Sequence, residues 1–142
     1  MTVTDQPPYR SVPGPLHGIL LGGTVALFLG ALLNDIAYYN TQQIQWSNFA
    51  SWLIAGGLLF AGLTGLFAIA NLLRAEHKGG RALAYLLVLL AAWLLGLLNA
   101  FEHAKDAWAI MPLGLILSVI VTLLTVVAAW TGFTNLRSGG AR

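Results

Sequence analysis

LHGILLGGTVALFLGALLN, residues 16–34, is nineteen residues without a charged side chain, closed by Asp35. About 20 apolar residues carry a helix across the hydrocarbon core of a bilayer, and three further runs repeat the pattern. One lies within Ile36 to Leu73, where the polar patch NTQQIQWSN (Asn40 to Asn48) predicts a loop and moves the helix start to about Trp52. The others are Ala82 to Phe101 and a stretch inside Ala107 to Leu136. Backbone polar groups in lipid must be satisfied within the chain, so spans of this length are helices. Short breaks between them predict antiparallel neighbours. The expected fold is all-α, an integral membrane four-helix up-down bundle. Its helices are expected at about 16–38, 52–73, 82–104 and 108–135, within a domain covering 16–137. Residues 1–15 form a polar, Pro-rich N-terminal segment and 138–142 a flexible tail.

Composition agrees. The 142 residues are 58% hydrophobic and 8% charged, against about a quarter charged in soluble domains. The absence of cysteine excludes disulfides, thiolate metal sites and thiol nucleophiles. MTVTDQPPYRSVPGP lacks the basic-then-apolar start of a signal peptide. No phosphate-binding Gly loop, GxSxG elbow, HExxH or zinc spacing is present, and the dispersed cations give nucleic-acid binding no support.

Orientation follows from the cations. With the N-terminus inside, the inner face receives Arg10, Arg74, Lys78, Arg81, Arg137 and Arg142, and the outer face Lys105 alone. Positive-inside bias therefore predicts cytoplasmic N- and C-termini in a multi-pass membrane protein. Tyr38, Tyr39, Trp46, Trp52 and Trp108 are expected in an outer aromatic belt, with Tyr85 and Trp130 near the inner surface. The loop RAEHKGGR reads as the topology signal, with contact to anionic lipid heads as the alternative. Small residues at four-residue spacing predict close helix packing: Gly18, Gly22, Ala26 and Gly30, then Gly57, Ala61 and Gly65, then Ala92, Gly96 and Ala100, then Gly114, Ser118 and Thr122. GALLNDIAYY (Gly30 to Tyr39) also matches LGLLNAFEHA (Leu95 to Ala104) loosely, as two related hairpins would, with Asn34 and Asn99 in matching positions.

The polar exception is NAFEHAKDAW, Asn99 to Trp108. Asn99, Glu102, His103 and Asp106 stand at i, i+3, i+4 and i+7, one face of a helix. Asn34 and Asp35 close the first span at the same membrane face. If helices one and three are neighbours, Asp35 reaches His103 or Lys105. Polar residues at membrane depth usually face the bundle interior and mark a site, so a ligand-binding pocket of Asn34, Asp35, Asn99, His103 and Asp106 is expected at the outer ends of helices one and three. His103 would be its titrating group. The plain alternative is an interfacial patch in which Glu102 and Lys105 form an ordinary surface pair. A metal ion at this cluster would use His103 with carboxylates from Asp35, Glu102 and Asp106, with His103, Asp35 and Asp106 the first candidates. His17, in PGPLHG, lies on the cytoplasmic side. Some 27 Å along the helix separates it from the level of Asp35 and His103, so His17 and His103 cannot be axial ligands of one haem. His77 joins His17 only if the inner loop folds back.

The residues PLHG, ND, NAFEHAKDAW and MPLGLILS resemble a family of bacterial predicted inner-membrane proteins with four helices, described only as a domain of unknown function. The resemblance runs from about Pro15 to Arg137 and rests on Pro15, Leu16, His17, Asp35, Asn99, His103, Lys105 (more often Arg in the family) and Asp106. Members often carry His-Pro where this chain has Gly14-Pro15. They also tend to have an acid late in helix two, where Gly65 is followed here by Leu66, Phe67 and Ala68. The resemblance implies the four-helix fold and an inner-membrane location, with no chemistry attached.

Two functions stay open. One is a small-ligand-binding or accessory subunit, with a metal ion, a quinone headgroup or a partner's polar surface at the His103 cluster. The other is a redox subunit passing electrons between a periplasmic dehydrogenase and quinone, with haem at the interface of a homodimer. A transporter would need dimerisation, and catalysis by the isolated chain has little support.

Overall fold

The computed structural model describes residues 15–74 and 79–138. The N-terminal segment with Arg10, the loop residues His77 and Lys78, and the tail end with Arg142 lie outside the described residues. Five helices follow in order: α1 (Pro15–Thr41), α2 (Ile44–Arg74), α3 (Gly80–His103), the single turn α4 (Ala107–Ile110) and α5 (Leu113–Ser138). Among the described residues there is no strand. α1, α2, α3 and the Leu113–Thr134 part of α5 are each long and apolar enough to cross a membrane.

α1 packs against α2 and α5, and α3 packs against the same two helices, so α1 and α3 stand across the diagonal of the bundle. The contacts fix the running directions. Gly23 lies against Phe60 and Gly30 against Leu53, while Gly65 lies against Leu89 and Gly96 against Leu58. Asn99 meets Ser118, and Gly132 lies against Tyr85 and Leu21. Numbering rises in one helix as it falls in each packed neighbour. The centre is held by Phe28, 1% exposed. A Cβ added at Gly57 or Gly96 would come within 3.0 Å of its ring. The backbones of α2 and α3 thus both approach one aromatic ring, which is what small residues allow in lipid.

Several expectations need correction. α2 begins at Ile44 rather than Trp52, so most of the polar patch is helical and the hairpin link is Gln42 and Gln43 alone. Gln42 makes the turn in the left-handed region, φ 57, the conformation common just past a helix end. The fourth span starts at Leu113, after α4 and the Met111–Pro112 break. In α1, Gly22 and Ala26 are exposed, and a Cβ at Gly22 would meet nothing within 4 Å. Of the expected small-residue stripe only Gly18 and Gly30 lie against neighbours, Phe133 and Leu53, and α1 turns Leu21, Thr24, Phe28, Ala31 and Asp35 inward. The expected small stripes of the other three spans do face neighbours, with Gly57, Ala61, Ala92, Gly96, Gly114, Ser118 and Thr122 buried. Tyr38 and Tyr85 leave the expected aromatic belts because both are buried with their hydroxyls bonded inside the protein. Trp52, Trp108 and Trp130 remain exposed.

Candidate functional site

α1 carries Asp35 inward at its far end, and α3 ends on His103 at the same level. His103 Nε2 lies 2.8 Å from Asp35 Oδ1. Ser118 of α5 donates its hydroxyl hydrogen to Asp35 Oδ2, and Asn99 Nδ2 donates to Ser118 Oγ at 2.8 Å. His103 Nδ1 lies 3.0 Å from the Asn99 carbonyl. The bonds close a circuit through α3, α5, α1 and back to α3. Asp35 and Asn99 are 0% exposed and His103 8%, so the site is enclosed rather than an open pocket.

The circuit fixes its own hydrogens. A carbonyl only accepts, so His103 Nδ1 must carry a hydrogen. Ser118 spends its single hydrogen on Asp35, so Asn99 must present its amide nitrogen to Ser118, which sets the orientation of that side chain. One proton is left to place, between His103 Nε2 and Asp35 Oδ1. It belongs either to an imidazolium facing a carboxylate or to a carboxylic acid facing a neutral ring. The pair is neutral in both states, which is how an ionisable pair is kept in a low-dielectric interior. α2 adds no charge, since its buried residues are Ser47, Ala50, Ile54, Gly57, Ala61 and Thr64.

The link from α3 to α5 roofs this cluster. The Tyr38 hydroxyl donates to the Ala107 carbonyl at 3.0 Å, and Ile110 is buried at 2%. Gly114 has no room for a side chain. A Cβ there would stand 2.7 Å from Ile110 Cγ2 and 3.1 Å from His103 Cε1, so the imidazole edge rests against the bare glycine.

Of the five residues expected in the pocket, Asp35, Asn99 and His103 come together, whereas Asn34 and Asp106 do not. Asn34 is half-buried and donates to the Gly30 carbonyl of its own helix. Asp106 is exposed because α3 stops at His103, so the i+7 position never forms. Glu102 pairs with exposed Lys105 at 2.6 Å, the surface pair of small worth. Without Asp106 the proposed metal set is reduced to His103 and Asp35. Among the described residues no three His, Asp or Glu come together as metal ligands. Sequence reasoning missed Ser118 as a site residue. Its one signal was a hydroxyl on the small-residue stripe of the fourth span, where it reads as packing.

His17 is at the other end of the bundle, 3.0 Å from the Tyr85 hydroxyl, and thus far from His103. An apolar groove of about 330 Å³ lies away from both, between α2 and α3 and lined by Gly62, Gly65, Leu66, Leu90 and Trp93 among others.

Four membrane-capable helices around a buried His–Asp–Ser–Asn circuit define a small polytopic membrane protein with a polar core site. The chain belongs to the DUF2231 family of predicted membrane proteins, whose model matches residues 13–139. Comparison with curated proteins and with solved structures gives no match.

Proposed function

We propose that this chain is a multi-pass protein of the bacterial inner membrane, an up-down bundle with both termini cytoplasmic, and that it acts as a small-ligand-binding or accessory subunit. Its working site is the Asp35–His103 pair with Ser118 and Asn99 at the periplasmic end. The cation asymmetry, with Lys105 alone on the outer side, supports the orientation. One observation carries the site reading. Asn99 Oδ1 is buried with no hydrogen-bond partner beside an otherwise closed circuit. An unpaired buried acceptor costs about 1–3 kcal/mol, so the site is completed by a small hydrogen-bond donor, and the pair next to it can take up or release one proton. A neutral or cationic hydrogen-bond donor is the chemistry that matches this acceptor.

The test is a nitrogen-15 NMR titration of the His103 ring in nanodiscs across the neutral pH range, on the full chain. The ring nitrogens should report one exchangeable proton shared with Asp35, and Asp35→Asn should change the tautomer signals. An imidazole that behaves identically in the wild type and in Asp35→Asn removes the site. No described residue arrangement favours the redox reading with haem or quinone.

A further inference from the structure

Two hydrogen-bonded pairs join α1 to α3 across the bundle, His17 with Tyr85 and Asp35 with His103. In both, the partners are 68 residues apart in sequence. The pairs are therefore offset by the same eighteen residues on each helix, from 17 to 35 and from 85 to 103. Eighteen residues are about five full turns, which return to the same helix face about 27 Å further on. That length is close to the roughly 30 Å hydrocarbon thickness of a bilayer. One inward face of α1 and one of α3 thus present a protonatable pair near each membrane surface.

The interior between the pairs is not wholly apolar. Thr24 of α1 and Ser118, Thr122 and Thr125 of α5 are all buried. Thr122 donates to the Phe28 carbonyl across the α1–α5 seam, Thr125 to the Thr122 carbonyl and Thr24 to the Leu20 carbonyl. Each hydroxyl keeps lone pairs free to accept. From Ser118, Thr122 and Thr125 lie about 6 and 10 Å down α5, while Thr24 lies about 10 Å above His17 on α1. Measured along the helix axes alone, the polar groups descend from the level of Asp35 in rises of about 5–6 Å, and water would have to enter the seam to join them. One longer step of about 10 Å, past Leu21 and Leu89, separates Thr24 from the His17–Tyr85 pair.

A second observation marks the ends. Two buried side-chain polar atoms are without a partner among the described residues, His17 Nδ1 and Asn99 Oδ1. One belongs to each terminal cluster. Buried water is the usual partner for such atoms, which calls for water at both ends of the same line.

We propose that this chain passes protons across the membrane along the α1–α5 seam, with His17–Tyr85 as the terminus at one surface and Asp35–His103 at the other. The inference rests on the reading of Asp35–His103 as a proton-exchanging pair. A proton arriving at one end binds an imidazole nitrogen or the carboxylate. Each intervening water or hydroxyl then accepts a proton on a lone pair and releases its own to the next oxygen. One proton enters, one leaves, and one unit of charge crosses, driven by the pH or voltage difference with no oxidant or other reactant. The hydroxyls must turn before the next transfer, and the long step must hydrate, so the flux is that of a slow, gated path.

The experiment uses the full chain in liposomes holding a pH-sensitive dye, with potassium and valinomycin setting the voltage. Wild-type vesicles should acidify faster than protein-free ones. Asp35→Asn and His17→Gln should each fall to the protein-free rate. The double variant Thr24→Val with Thr125→Val, nearly unchanged in shape, should also fall. Leu21→Ser, which places a hydroxyl in the long step, should rise above wild type without releasing an entrapped larger dye. Circular dichroism and gel filtration certify each variant as folded. Wild-type flux equal to the protein-free rate overturns the proposal, as does flux indifferent to the threonine pair and to Leu21→Ser. If His103 still shares its proton with Asp35 by NMR while no flux is seen, proton passage fails and the accessory-site reading survives.

Discussion

At the residue scale the molecule turns on how few hydrogens serve the Asp35 circuit. Ser118 has one, given to Asp35, and Asn99 supplies the hydrogen that Ser118 accepts. Ser118→Ala removes both bonds at once and leaves a carboxylate oxygen and an amide nitrogen buried, each worth about 1–3 kcal/mol when unmet. The expected result is a clear loss of thermal stability in detergent, larger than for Thr131→Ala, whose hydroxyl bonds only to its own helix. Equal losses would show that the circuit adds nothing. Gly114→Ala tests the imidazole's seat. The added methyl meets Ile110 and the His103 ring, overpacking of the kind that costs about 1–3 kcal/mol. It should therefore perturb the His103 ring signals while leaving its partners chemically intact. Part of this site was legible in the sequence. Asp35, Asn99 and His103 stand out as polar residues at the ends of apolar spans, but adjacent positions on a helix point about 100° apart. That angle, unseen without the neighbours, is why Asp35 enters the cluster and Asn34 does not.

At the element scale the spans were legible and their inward faces were not. A helix in water reveals its buried side by an apolar stripe, whereas a helix in lipid is apolar all round. In α1 this made Gly22 and Ala26 look like a packing ridge although they face outward. The face that packs bears larger side chains, and Phe28 is its centre. Helix ends were equally hidden. Asn40 to Asn48 reads as a loop by polarity, yet outside the hydrocarbon core a polar sequence can continue as helix, and α2 starts at Ile44. Gly57→Ala probes the packing claim, because its methyl would stand 2.9 Å from Phe28 Cε2. We expect a destabilisation of about 1–3 kcal/mol from overpacking, relieved when combined with Phe28→Leu. Gly22→Ala, with open space around it, should change stability little. Equal effects at the two glycines would move the helix interface.

At the scale of the whole molecule, the four described spans and the pairs at either end assign the surfaces only once the bundle has a direction. The bundle itself is nearly neutral about this choice, since a polar pair lies at each end and the outer faces are uniformly apolar. Direction comes from the connections. Arg74 and Arg81 flank the α2–α3 link, and Lys105 lies in the α3–α5 link, paired with Glu102. Retaining cations on the cytoplasmic side is the dominant topological signal for short loops, and it supports the proposed direction, with the α2–α3 link inside and the roof over His103 outside. The lack of native cysteine makes the check direct. Gly79→Cys and Lys105→Cys, made singly, each place one thiol at an exposed link. In intact cells a membrane-impermeant maleimide should label the thiol at position 105 and spare the one at 79, and in inverted vesicles the preference should reverse. Labelling at 79 in intact cells would invert the bundle. His17–Tyr85 would then face the periplasm and Asp35–His103 the cytoplasm, exchanging the two termini of the proposed proton path while leaving its interior unchanged.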